Sequence, residues 1–371
     1  MPRNKLFIQL FLGLAFIILT TACSVNIAQD PKYTNPETLH LIWNANADSA
    51  ISGAPVTVKD IVVVIHDDGK IQAIDNESGE NRWHFETPAK LWPKSLNTTL
   101  DDVLIAGEDG RLIAMTTRSG LSEWELFLDG EVISSPLIDR YLIFAATSLV
   151  SSAENEDGDQ EAELLAINAS TGKILWRYVT DNETLVTPAR GGDQVYVGGN
   201  AGDTTNLYAL SAADGTKRWG FAAAEGAIKA IYANDDAVVI LGEQGTLTAL
   251  DGVTGFTLWR AEFVANISWL MGDEEFVIFE DGAAIQAWDI NTGDLVWDYQ
   301  IPHGVLPKPI VWNSELYLLT QAGEIVNLNL RSGKESWRFQ TESNSPAGMT
   351  ITDSAIFIAD KDGYLYAYSD K

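Results

Sequence analysis

The chain has 371 residues, with 52 acidic against 24 basic side chains, a formal net charge of −28 and a single cysteine. A surface that acidic repels nucleic acid and anionic lipid headgroups. One cysteine leaves no internal disulfide, so folding has to rest on a buried core alone.

The first element is an N-terminal leader. Arg3 and Lys5 precede an apolar run over residues 6–19 broken only by Gln9, which is shorter than the ~20 residues needed to cross a bilayer. This layout predicts a cleaved signal peptide over residues 1–22. The sequence Thr20-Thr21-Ala22-Cys23 resembles a bacterial lipobox, with Thr20 where such sequences carry Leu, Val or Ile. The resemblance implies a lipid on Cys23, and Ser24 rather than Asp after it implies sorting to an outer membrane where one exists, or otherwise to the outer face of the plasma membrane. Cleavage would remove two positive charges and leave the mature chain at roughly −30. Residues 23–39 hold two prolines and no apolar period, as expected of a flexible tether. The remaining stretch, 40–371, exceeds the ~250–300 residues of one ordinary core and contains no further linker, a combination that a radial repeat reconciles.

The repeat is explicit. A glycine stands four residues before a tryptophan in Gly79/Trp83, Gly120/Trp124, Gly172/Trp176, Gly215/Trp219, Gly255/Trp259, Gly293/Trp297 and Gly333/Trp337, and Trp43 is an eighth without its glycine. Successive tryptophans lie 40, 41, 52, 43, 40, 38 and 40 residues apart, the length of one four-stranded propeller blade. Alanine occupies the position six before each glycine, except at Asn327, and an Asp, Asn, Ser or Thr follows two residues later to accept hydrogen bonds from the turn. Upstream β-branched and aromatic runs such as 61–65, 237–241 and 316–319 end in turn pairs such as Asp68-Gly69 and Asp362-Gly363, which are hairpin signals. The C-terminal run 364–371 has the alanine, Ala367, and the polar residue, Ser369, but no Gly-Trp strand after them. The strand around Trp43 is therefore expected to close the ring, giving an all-β, eight-bladed propeller over residues 40–371.

The unit Ala-x-Asp-x-x-Thr-Gly-x-x-x-Trp, read as AWDINTGDLVW over residues 287–297, resembles the pyrroloquinoline-quinone (PQQ) repeat. With the lipobox and tether, the whole chain is similar to the BamB family, in which the resemblance implies a non-catalytic scaffold for outer-membrane protein assembly and a protein partner in the cell envelope. The competing expectation is a PQQ-dependent dehydrogenase or a small-ligand-binding propeller. The quinone-dependent alcohol dehydrogenases carry a vicinal cysteine pair, which one cysteine cannot supply, and the four histidines show no metal-ligand spacing. His40, His66 and His84 are read as surface or edge residues, and neither cofactor nor metal is expected.

Two candidate contact surfaces emerge. The stations ten or eleven residues past each tryptophan should open the innermost strands around the central channel, and they bring Lys94, Lys229 and Lys308 together with Trp92 and Trp269. Such a positive, aromatic-edged mouth would suit a carboxylate-bearing ligand or peptide terminus. The third repeat is longer by an acidic stretch at residues 151–163, read as a solvated hairpin extension able to meet a partner.

Overall fold

In the computed structural model the chain divides into two units, 1–30 and 31–371. The structure describes residues 39–370 except 48, 87–90, 100, 108, 150–160, 181–183, 201–205, 224–225, 264–266, 283, 302–303 and 307–308, and gives only the backbone for 91–95. The expected signal peptide, Cys23, most of the expected tether and Lys308 lie outside the described residues.

The outer strand β1 (His40–Asn46) opens the described chain, followed by β2 (Val56–Val58), β3 (Ile61–Ile65), β4 (Lys70–Asp75) and β5 (Asn81–Glu86), which form one antiparallel sheet from inside to outside. Six further four-stranded sheets repeat that order. In the eighth, Pro346–Ile351, Ile356–Asp360 and Tyr364–Ser369 are completed by β1, with Trp43 opposite Ala367. The ring is thus an eight-bladed β-propeller closed by its N-terminal strand. Beside β2 lie the innermost strands Leu91–Thr98 and Pro346–Ile351, so first and last blades are neighbours.

The repeat residues account for this geometry. In each blade the alanine station pairs directly across from the tryptophan, as Ala73 with Trp83 and Ala249 with Trp259, and a β-bulge follows at once. These alanines are fully buried, and their lack of bulk leaves room for the indole opposite. The ring then lies over the glycine turn of the next blade. Gly120 adopts φ +65°, and a Cβ there would stand 2.5 Å from Trp83 Cε3, so both backbone conformation and proximity demand glycine. Seven indole N–H groups donate to the same carbonyl station of the following blade, from Trp83 to Thr117 at 2.8 Å through Trp297 to Leu330 at 2.8 Å. Packing and hydrogen bonding therefore run in one direction around the ring.

The exception marks the seam. Trp337 would donate to the turn where the ring is open, between Ser369 and His40, and its buried indole nitrogen meets no partner among the described residues. Leu39 occupies the station that glycine holds elsewhere. Freed from a tight turn, it keeps its side chain and packs in one cluster with Trp337 and Tyr368.

Strand direction gives the ring two distinct faces. On one, the outer-to-inner connections meet the hairpin turns between second and third strands, as in Asp67 N–H to Ala50 O at 3.0 Å. On the other, the glycine turns meet the turns between first and second strands, as in Asn76 N–H to Asp60 O at 3.0 Å. The described chain enters β1 on the glycine-turn face.

Candidate functional site

The channel stations fall at or just before the innermost strands, on the connection face. Lys229 is the extra residue of a bulge between Ile228 and Ala230 and is exposed, since a bulge re-aims the side chain it inserts. Trp92 and Lys94 lie in the strand Leu91–Thr98, whose register is irregular between Leu91 and Leu96; their backbone alone is described. Trp269 is different from the expectation. It is 6% exposed and packs with Ile278, Leu316 and Leu318, because a large apolar ring gains more in the inter-blade core than at a wet channel rim. Of the five channel candidates, only Lys229 has a described side chain exposed at this face.

The extended third repeat also departs from the reading. Its second and third strands lengthen to Leu142–Leu149 and Glu161–Asn168, so residues 161–163 belong to a strand, while 151–160 lie outside the described residues. Glu163 is buried, with Arg177 at 3.2 Å and Thr147 at 3.4 Å; burial raises its pKa and the Arg177 charge opposes that rise. His66 is likewise buried rather than superficial. Its Nδ1 faces Ser49 Oγ at 3.0 Å and its Nε2 faces Gln72 Oε1 at 3.2 Å, pinning the connection that leads out of the closing strand. A histidine can be buried when both ring nitrogens find partners.

On the glycine-turn face, a cleft of 540 Å³ opens between the first and second blades. Lys59, Asp60 and Arg82 line one side, and Asp101, Asp102, Thr116, Thr117, Arg118 and Glu123 the other. Lys59 pairs with Asp101 across the blade boundary at 2.9 Å, and Arg82 reaches Asp60 at 3.2 Å as well as Asp75. Asp75 also accepts the N–H groups of Glu77 and Ser78, and Arg82 foremost holds its carboxyl down at about 2. Asp102 has the opposite environment. Burial first, then the charge of Glu123 beside it, push its pKa up to about 6. Asp102 therefore keeps its proton to a higher pH than an exposed aspartate does. No group of three or more potential metal ligands gathers among the described residues. Sequence reading missed this cleft because its residues come from two repeats and become neighbours only when blades dock.

The fold and these surfaces can now be set beside known proteins. The family described as outer membrane protein assembly factor BamB matches residues 31–126, 99–204, 144–266 and 269–371. A BamB from Moranella endobia (strain PCIT) is 24% identical over 235 residues, 56% of this chain and 59% of that protein; this chain thus spans well under two thirds of that relative's length. One from Burkholderia pseudomallei (strain K96243) is 21% identical over 350 residues, covering 88% and 87%. The crystal structure of BamB from Moraxella catarrhalis superposes with a TM-score of 0.63 at 18% identity, over 89% of this chain and 99% of that one. With the repeat, the eight blades and a family match running through the whole propeller, the chain belongs to the outer membrane protein assembly factor BamB family.

Proposed function

We propose that the protein is a non-catalytic scaffold of the cell envelope, anchored by a lipid on Cys23, that docks protein partners during outer-membrane protein assembly. The family match over residues 31–371 carries this reading. The architecture supports it: eight rigid blades present turns on two faces, and a tether raises the local concentration of whatever those turns bind. Attachment would place it on the periplasmic side of an outer membrane. No nucleic acid is expected as a partner, since the net charge of −28 opposes it.

Mild crosslinking of native membranes followed by purification should recover a defined assembly partner, and intact mass should show a chain that begins at Cys23 and carries acyl groups. Cys23→Ser should release the protein from membranes. Purified protein given pyrroloquinoline quinone and calcium should neither retain the chromophore nor reduce a dye with alcohols or sugars. Stoichiometric quinone retention with turnover lost in Lys94→Ala or Lys308→Ala would replace the scaffold with a dehydrogenase.

A further inference from the structure

The fifth blade departs from the repeat on the glycine-turn face. Its turn between third and fourth strands reads Asp251-Gly252-Val253-Thr254-Gly255-Phe256, and Phe256 and Val253 are the most exposed large apolar side chains among the described residues, at 75% and 72%. At the station of Val253 the other turns carry Glu77, Arg118, Ser170, Ala213, Asn291 and Arg331. At that of Phe256 they carry charged or polar residues except Leu121. No other glycine turn among the described residues exposes two large apolar groups together.

This turn is also held more firmly than the repeat requires. The carbonyl of Gly252 accepts the usual indole N–H from Trp219 at 3.0 Å, and in addition Gln194 Nε2 at 2.7 Å and Tyr196 Oη at 3.2 Å, all from the fourth blade. A Cβ at Gly252 would stand 2.9 Å from Tyr196 Oη. The carboxylate of Asp251 caps Thr254 through its N–H at 2.7 Å and its hydroxyl at 2.6 Å. A fixed backbone under two exposed apolar groups loses little freedom when they are buried by a partner.

The surroundings are acidic. Asp236 O accepts Gly252 N–H at 2.8 Å, Asp235 caps Gly192 N–H at 2.9 Å, and Asp193 precedes Gln194. Burial foremost, then Asp193 and Asp251, push the Tyr196 hydroxyl up to about 12. The two nearby arginines are engaged, Arg190 with Asp139 at 2.9 Å and Arg218 with Asp193 at 3.9 Å. An acidic rim disfavours an anionic bilayer and, by self-repulsion, a second copy of the same face.

We infer that Val253 and Phe256 form a preorganised docking knob, beside the acidic turns that carry Asp193, Asp235 and Asp236, for a protein partner that offers an apolar pocket rimmed by lysine or arginine. This rests on the scaffold reading and assigns one of its contact surfaces. Because the described chain enters β1 on the same face, such a partner would be held at the same membrane.

The test places p-benzoylphenylalanine at Phe256 in the full-length protein in its own cells, with Phe127, exposed at the opposite face, as control. Irradiation should give one discrete protein adduct from position 256 and not from 127. Its yield should fall at least fivefold with Val253→Ser, and likewise with Asp193→Lys or Asp235→Lys/Asp236→Lys, while all variants keep the parent melting transition. The crosslinked peptide should be apolar and flanked by basic residues. No adduct, a lipid adduct, an adduct between two copies, or a yield indifferent to charge reversal overturns the inference. If a partner still co-purifies with Val253→Ser/Phe256→Ser as it does with the parent, the scaffold stands and the knob falls; if none co-purifies with the parent, the scaffold itself fails.

Discussion

Replacing Asp102 with asparagine should stabilise the propeller at neutral pH and leave it unchanged in acid. Asp102 is 9% exposed in the cleft between the first two blades, and burial together with Glu123 raises its pKa from 3.8 to about 6. A carboxyl whose pKa is raised in the folded state favours folding most when protonated in both states. As pH climbs from 4 to 6 the native state retains a proton that the unfolded chain releases, so stability declines, and above 6 the full penalty is present. Two units correspond to a ceiling of about 3 kcal/mol. The cleft is open to water on one side and the Glu123 repulsion is shared by both carboxyls, so we expect ~1–2 kcal/mol from Asp102→Asn at pH 7.5. For a domain of this size that is a rise in Tm of about 1.5–3 °C. Denaturant melts from pH 4 to 8 should show the two proteins nearly coinciding at pH 4 and separating between pH 4 and 6, with a midpoint near about 5. Glu123→Gln should move that separation to lower pH. A constant offset at all pH values, or a less stable Asp102→Asn at pH 7.5, would refute the assignment.

Three further outcomes follow from the packing. Gly120→Ala combines a left-handed backbone with a contact 2.5 Å from Trp83 Cε3 and should cost ~2–4 kcal/mol, read as a lower denaturant midpoint with an unchanged slope. Trp297→Phe should cost about 1 kcal/mol more than Trp337→Phe, because only Trp297 gives up an indole hydrogen bond, to Leu330 O at 2.8 Å; equal losses would show that Trp337 has a partner of comparable strength. Deleting residues 38–48 removes the outer strand of the eighth blade and uncovers the edge of Tyr364–Ser369. The product should aggregate or lose cooperative melting, and an unaltered melting curve would contradict closure at that seam.

Local chemistry repeated eight times was enough to specify the propeller. Each Gly-x-x-x-Trp demands a turn and a large buried ring, each alanine sits opposite that ring, and the lone Trp43 together with the truncated repeat at Tyr364–Ser369 identifies the closing strand; none of these inferences needs to know which blades touch. The surfaces were less legible. Counting from the tryptophans located the channel stations but could not tell that Trp269 turns into the core while Lys229 stands out on a bulge, because strand register and bulge position set side-chain direction. The burial of His66 and Glu163 depended on partners 17 and 14 residues away in sequence, Ser49 and Arg177. Periodicity in this chain determined what each residue does within its own blade. Tertiary docking alone decided what happens between blades, where Asp101 meets Lys59 and where Gly252 gathers three donors from the blade before it, because those energies depend on distances that no single repeat contains.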